Sequence, residues 1–152
     1  LAFTTKYSDV TNAATENADA NWPFLRYADV QLIYAEAENE LGNLGEALIY
    51  LNNVRRRSNA TEGSLTGNGA LDTQEKMRSA ILEERAKEFA CEGDRRWDLI
   101  RWGIYLDAMN ALGGSDDSGI NKTRQQRNLL FPIPNAELNT NKAITENNPG
   151  WN

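Results

Sequence analysis

"YAEAENELGNLGEALIYLNNV", residues 34 to 54, decides the fold. Apolar residues recur at three- and four-residue steps, break at Gly42-Asn43, and resume at the same spacing. That is two amphipathic helices joined by a tight turn. Working outward, the first helix is expected over about Phe24 to Leu41, with Tyr27, Val30, Ile33, Tyr34, Ala37 and Leu41 as its buried face. The second is expected over Leu44 to Arg57, with Ala47, Leu48, Leu51 and Val54 turned inward. Gly42 supplies the stop, because glycine enters the left-handed C-cap without a Cβ penalty.

Small Ala35 and Ala47 permit close crossing, and the pair has the spacing of one tetratricopeptide-like hairpin. Such a repeat cannot bury its apolar surface alone, and about three are normally stacked. No second copy follows, so the missing neighbours are expected from downstream helices, from another part of the protein, or from a partner.

The rest of the chain reads as follows. Residues 1–20 form a polar, irregular arm ended by Asn21-Trp22-Pro23, and residues 21–58 hold the helix pair. The Gly-, Ser- and Asn-rich stretch from Ser58 to Gln74 is expected to be an exposed, mobile loop. Residues 73–112 are expected to be helical: one helix from Thr73 to Cys91, a short one capped by Asp94 and closed by Gly103, and a weaker run "IYLDAMNAL". Residues 113–152 are a polar loop and a tail, extended at the prolines of "LFPIPNAEL", with Asn135 placed to cap a final turn. Strand signals are scarce, so the fold class is mostly α with long irregular loops.

Composition excludes several functions. The 152 residues carry 16 basic and 22 acidic side chains, a net charge of −6. This disfavours nucleic-acid binding, which depends on neutralising phosphates. Histidine is absent, which removes imidazole bases and metal ligands. The single cysteine, Cys91, follows Phe89-Ala90 and is expected to be an inert buried thiol. No run approaches a membrane span, and no phosphate-binding loop or serine nucleophile motif occurs. With neither signal peptide nor initiator Met, the sequence reads as a segment of a longer product.

The densest chemistry lies in "EGDRRWDLIRWG", residues 92 to 103. Glu84, Glu88 and Glu92 share one helical face, and Arg95, Arg96 and Arg101 follow. A glycosidase would need two carboxyls across an open cleft in contrasting environments. Here an apolar helix through Met77, Ile81 and Leu82 runs straight into the acids, which favours a partly buried ion network. Trp97 shares a face with Ile100 and Ile104 and is expected in the core; Trp22 and Trp151 are the tryptophans more open to solvent. "GGSDDSGINK" offers oxygen donors but lacks the ligand alternation and closing Glu of an EF-hand.

Four segments in order resemble one family. "FLRYADVQLIYAEAENELG" is similar to its first signature helix, and "AILEERAKEFACEGDRRWDLIRWG" to its longest motif. "LFPIPNAEL" is similar to its Pro-Ile-Pro segment, and "NNPGW" to its terminal Gln-Asn-Pro-Gly-Tyr, with Asn147 and Trp151 departing conservatively. The family is SusD/RagB, glycan-binding outer-membrane lipoproteins of Bacteroidetes. The resemblance implies a carboxy-terminal portion of one SusD-like domain, with SusD-like helices after the tetratricopeptide-like hairpin.

It also implies non-catalytic binding of an oligosaccharide, or sometimes a peptide, and delivery to a SusC-like TonB-dependent transporter. Attachment would be through a lipid anchor lying upstream. No cofactor, metal or nucleic-acid partner is implied. The matched motifs are scaffold, so no ligand-binding residue is carried over; Trp22 and the loops at 59–72 and 113–128 are the places to look. Two other readings compete: a protein–protein interaction module without sugar binding, and a hydrolase using Glu84 or Glu88.

Overall fold

The computed structural model describes Lys6, residues 23–112 and residues 123–151. The fold is mostly α, with no strand among the described residues. Two compact units divide the chain, Leu1–Gly93 and Asp94–Asn152.

In the first unit, α1 (Tyr27–Glu40), α2 (Leu44–Arg57) and α3 (Gln74–Glu88) all pack on one another. α2 has the limits its sequence predicts. Between α1 and α2 the chain makes the glycine turn expected: Gly42 has φ +84°, its N–H donates to Asn39 O, and Asn43 N–H donates to Glu38 O. Leu32, Ala35, Ala47, Leu51, Met77 and Ile81 are wholly inaccessible to solvent. Each large side chain among them contributes about 1.5–3 kcal/mol by leaving water. α3 thus supplies one of the neighbours that the hairpin lacks.

α1 presents the opposite stripe to the one its spacing predicts. Ala28, Leu32, Ala35 and Asn39 face the core, whereas Tyr27, Val30, Ile33, Tyr34, Ala37 and Leu41 are exposed. The reason is steric: the two alanines let α2 and α3 approach α1 closely, which the bulky stripe would prevent. Asn39 is buried because it is used. Its amide donates to Gln74 O (3.1 Å) while the Gln74 amide donates to Asn39 O (2.7 Å), joining the end of α1 to the start of α3. Arg78 adds a two-pronged contact to Glu40. α3 begins one residue later than expected, at Gln74, and Thr73 caps it: its Oγ1 accepts from Lys76 N–H (3.2 Å).

The segment after α2 is largely exposed, as its composition predicts, and is anchored to the helices at several points. Asn52 accepts from Gly63 N–H (2.7 Å) and donates to Gly63 O (3.1 Å), Leu71 N–H donates to Ser64 O (2.7 Å), and Leu65 and Leu71 pack against the core. α3 also ends earlier than expected, at Glu88. Cys91 then falls in the turn with φ +65° and is exposed, so the expectation of a buried thiol is overturned by where the helix stops.

The second unit contains α4 (Arg95–Arg101), α5 (Tyr105–Ala111), a 3-10 turn (Gln126–Leu129) and α6 (Asn135–Thr140). Asp94 stands at the N-cap position of α4 but already has helical backbone angles and makes no side-chain cap. Asn135 is the first residue of α6, and Pro134 precedes it as the cap. Asp98 and Leu99 form the inward stripe of α4; Trp97, adjacent on the helix, is therefore more than half exposed instead of in the core. The calcium-like stretch 113–122, the arm residues 1–5 and 7–20, and Trp22 lie outside the described residues.

Candidate functional site

Catalysis by this chain would depend on its carboxylate stripe. Glu84, Glu88 and Glu92 all have side chains at or below 7% exposure. Glu84 accepts from Arg55 Nε of α2 (2.9 Å). Glu88 accepts from Arg26 Nη1 (2.6 Å) and is also paired with Arg57. Glu92 takes a fork from Arg26, Nε to one oxygen (2.9 Å) and Nη2 to the other (2.8 Å), and is paired with Lys6. Arg26 and Lys6 further donate to the Glu88 carbonyl, 2.9 and 2.6 Å. One turn back, Arg85 Nη1 donates to Asp29 of α1 (2.6 Å), and the Arg26 and Arg85 guanidiniums each lie 5.0 Å from the Phe89 ring.

An ion network is therefore present, as its sequence suggests. Sequence proximity points to Arg95, Arg96 and Arg101 downstream as the cations; the structure brings Lys6, Arg26, Arg55 and Arg57 from upstream. Arg26, inside "FLRYAD", was the residue missed, and its only signal was a charge set immediately before an apolar helix. Burial pushes the Glu92 carboxyl up, but hydrogen bonds from Arg26 and Lys6 outweigh it and hold the group below its ordinary range. The Glu92 carboxylate raises Arg26 in turn, against burial. A general acid in glycoside hydrolysis requires the opposite, a carboxyl raised toward neutrality. What this arrangement does chemically is fasten the approach to α1 onto the end of α3.

The loop at 59–72 overhangs a cleft lined by Thr61, Ser64, Asn68, Glu83, Lys87 and Arg55. These are groups able to orient hydroxyls, but no aromatic side chain lines the cleft to stack on a sugar ring. A more open depression adjoins it and shares Asn68, Gly69, Leu71 and Glu83 with it.

In the second unit the aromatics are held by cations. Arg96 lies 4.5 Å from the Phe131 ring and 4.9 Å from the Tyr105 ring, and donates to Tyr105 OH (2.8 Å) and Asn128 O (2.6 Å). Trp97 meets Phe131 edge-on at 5.9 Å. Trp151, half-buried, has Arg127 at 5.2 Å from its ring, and its indole N–H points at the carbonyls of Arg127 (3.0 Å) and Leu130 (3.2 Å). Beside this pair runs a cleft walled by Gln125, Gln126, Leu129, Leu130, Pro149 and Gly150. The sequence had marked 113–128 as a loop of interest; its described part provides the two glutamines.

The two motif segments of the tail are joined by an amide. Asn147 accepts from Ile133 N–H (2.7 Å) and donates to Ile133 O (3.3 Å), while Asn148 donates to Phe131 O (2.7 Å). Gly150 has φ +83°, and a Cβ there would come within 2.8 Å of Arg127 Cβ. Among the described residues no cluster of acidic or thiol side chains is placed to hold a metal, and no helix is long and apolar enough to cross a membrane.

The SusD family model matches residues 2–151. A SusD-like protein of Formosa agariphila is 41% identical over 138 residues, which is 91% of this chain and 26% of that protein. The starch-binding protein SusD of Bacteroides thetaiotaomicron is 31% identical over 139 residues, 85% of this chain and 21% of its own. Among solved structures, a SusD homolog from B. thetaiotaomicron superposes with a TM-score of 0.72 at 34% identity, covering 94% of this chain and 31% of that one. A SusD superfamily protein from Bacteroides vulgatus gives 0.68 at 33% identity, covering 84% and 27%. The chain thus spans about a quarter of the length of the curated relatives it matches.

Proposed function

The chain belongs to the SusD family, and from that premise we propose that the whole protein binds an oligosaccharide at the outer-membrane surface without transforming it. It then delivers the ligand to a SusC-like TonB-dependent transporter. The observation that carries the reading is the match over residues 2–151, with a starch-binding relative at 31% identity. The charge-paired carboxylates support the non-catalytic part, since Glu84, Glu88 and Glu92 are each held by a guanidinium.

These 152 residues act as scaffold in that proposal. Binding a sugar takes an aromatic face and a few convergent polar groups. The loop at 59–72 supplies polar groups alone, so we assign it at most an orienting role, through Ser64 and Asn68.

The test uses the full-length protein, titrated calorimetrically against a panel of soluble glycans, with the ligand recovered and sized afterwards. Binding with the glycan returned intact is expected. Shortened glycan, with turnover lost in Glu84→Gln, would instead establish a hydrolase. Affinity for peptides and for none of the glycans would favour the interaction module. Ser64→Ala and Asn68→Ala with unchanged affinity would remove the loop from the site.

A further inference from the structure

We propose that Asn68 is a site of spontaneous modification, where the side-chain amide is lost as ammonia through a cyclic imide closed with Gly69. The inference rests on the loop after α2 and is independent of the glycan reading.

Asn68-Gly69 is the single place in the 152 residues where glycine follows asparagine. The pair sits at the tip of the loop. Leu71 N–H donates to Ser64 O (2.7 Å) at its neck, and Ala70 N–H donates to Gly67 O (3.3 Å) across the turn. Gly69 is the third residue of that turn and has φ +76°, a conformation glycine adopts without strain. The turn therefore selects the glycine, and the glycine leaves the backbone nitrogen after Asn68 unshielded. Both residues are exposed, and nothing lies within 4 Å of where a Cβ on Gly69 would stand. Among the described residues, neither the Asn68 side chain nor the Gly69 N–H has a hydrogen-bond partner.

These are the conditions for ring closure. The Gly69 nitrogen, giving up its proton, attacks Asn68 Cγ. A bond forms between them, the bond from Cγ to the amide nitrogen breaks, and ammonia leaves. Water then opens the imide at either carbonyl, giving aspartate at one and isoaspartate, with the main chain routed through Cγ, at the other. Asparagine and water become acid and ammonia, with no oxidant or reductant involved. Asn59, in the same segment, shows what blocks the reaction. It is exposed too, but alanine follows it, and the Ala60 N–H is committed to Arg55 O (2.9 Å).

The product changes the chemistry of the loop. Asn68 and Glu83 both line the cleft under the loop and the depression adjoining it. Conversion sets a further carboxylate there and replaces a group that donates and accepts by one that only accepts. The isoaspartate form also lengthens the main chain inside the turn that Gly67 and Ala70 close.

The test is made on the full-length protein, held folded at neutral pH, digested in mild acid and read by peptide mass spectrometry that separates isoaspartate from aspartate. The expected result is isoaspartate at position 68. It should form at least ~10-fold faster than any product at Asn59, the ratio that a barrier lower by about 1.4 kcal/mol gives. Asn68→Gln, whose longer side chain cannot close the same ring, should lose the acidic form that ion exchange separates from the parent. An Asn68 that stays intact in the folded protein, while the denatured chain converts, would overturn the proposal. Aspartate without isoaspartate would overturn it as well, because that identifies direct hydrolysis, and so would equal conversion at Asn59.

Discussion

The first unit, Leu1–Gly93, closes an apolar interior: three helices bury Leu32, Leu51, Met77 and Ile81 to zero exposure, and charges seal its edge. In the second, Asp94–Asn152, only Asp98, Leu99 and Tyr105 are buried among the described residues. Its order comes from polar geometry instead: Arg96 between Tyr105 and Phe131, Arg127 on Trp151, and asparagines bridging backbone segments. The difference separates two ways a sequence can specify structure. Burial is tolerant of chemistry and sensitive to volume. Hydrogen-bonded geometry tolerates little change in chemistry, and each contact contributes only about 1 kcal/mol.

The largest effect should therefore come from volume lost in the first unit. Leu51→Ala is expected to destabilise that unit by about 3–4 kcal/mol, because α1, α2 and α3 cannot all collapse onto the cavity. Leu99→Ala in the second unit should cost visibly less. Native-state hydrogen exchange, reading helix amides of each unit separately, checks both. Equal losses in the two would mean that the second unit also depends on an apolar core.

Much of the first unit was legible for the same reason. α2 is bounded by Gly42-Asn43 and Ser58-Asn59 and carries one clean apolar stripe, so pattern and packing agree over Leu44–Arg57. α1 carries two stripes, and periodicity selected the one with larger side chains; only the crowding at Ala28 and Ala35 decides for the other. Cys91 misled because α3 stops at Glu88, before it, and Trp97 because Asp98 and Leu99 form the inward stripe of α4 in its place. The motif at 92–103 was readable as structural, but not its partners: Arg26 lies 62 and 66 residues from the acids it holds. Asn52 and Asn110 lie in helical runs and Asn147 in the tail, and none stands out in the sequence, because a bridge across 11 or 14 residues leaves no local pattern. A ligand-binding site was not legible, as the recognisable residues of this chain are those that build the scaffold.

Next in size is the charged seal of the first unit. Removing Arg26 by Arg26→Ala leaves Glu88 with Arg57 and Glu92 with Lys6, so the loss is expected near 2–3 kcal/mol, below that of a pair stripped of every partner. The seal also sets a pH dependence. Glu92 is held below its ordinary 4.5 in the folded chain, so its contribution is complete above that value. It is lost as pH falls through the lower folded value, because the unfolded chain takes up the proton first. Glu40, Glu62, Asp72 and Glu83 are lowered as well. Glu92→Gln should accordingly make the acid limb of a stability–pH curve shallower without flattening it. An unchanged limb would show that Arg26 and Lys6 do not favour the charged form.

The smallest effect tests whether one amide can hold part of the second unit in register. Asn147 serves Ile133 at both its N–H and its C=O, and its Oδ1 also accepts from Asn148 N–H (2.8 Å). Asn147→Ala removes all three contacts, yet Ile133 is only half-buried and water can reach part of what is lost. The expected cost is about 1–2 kcal/mol, seen as roughly tenfold faster exchange of the Ile133 amide. Asn147→Asp separates the contributions. It keeps the acceptor that both N–H groups use and loses only the donor to Ile133 O, so the Ile133 amide should exchange at close to the original rate. If the aspartate variant exchanges as fast as the alanine one, the reciprocal bridge is what holds the segment, and a single hydrogen bond cannot replace it. If neither variant differs from the parent, the order of this segment lies in the turn around Gly150 and the Arg127–Trp151 stack, and the second unit is less dependent on its asparagines than its geometry indicates.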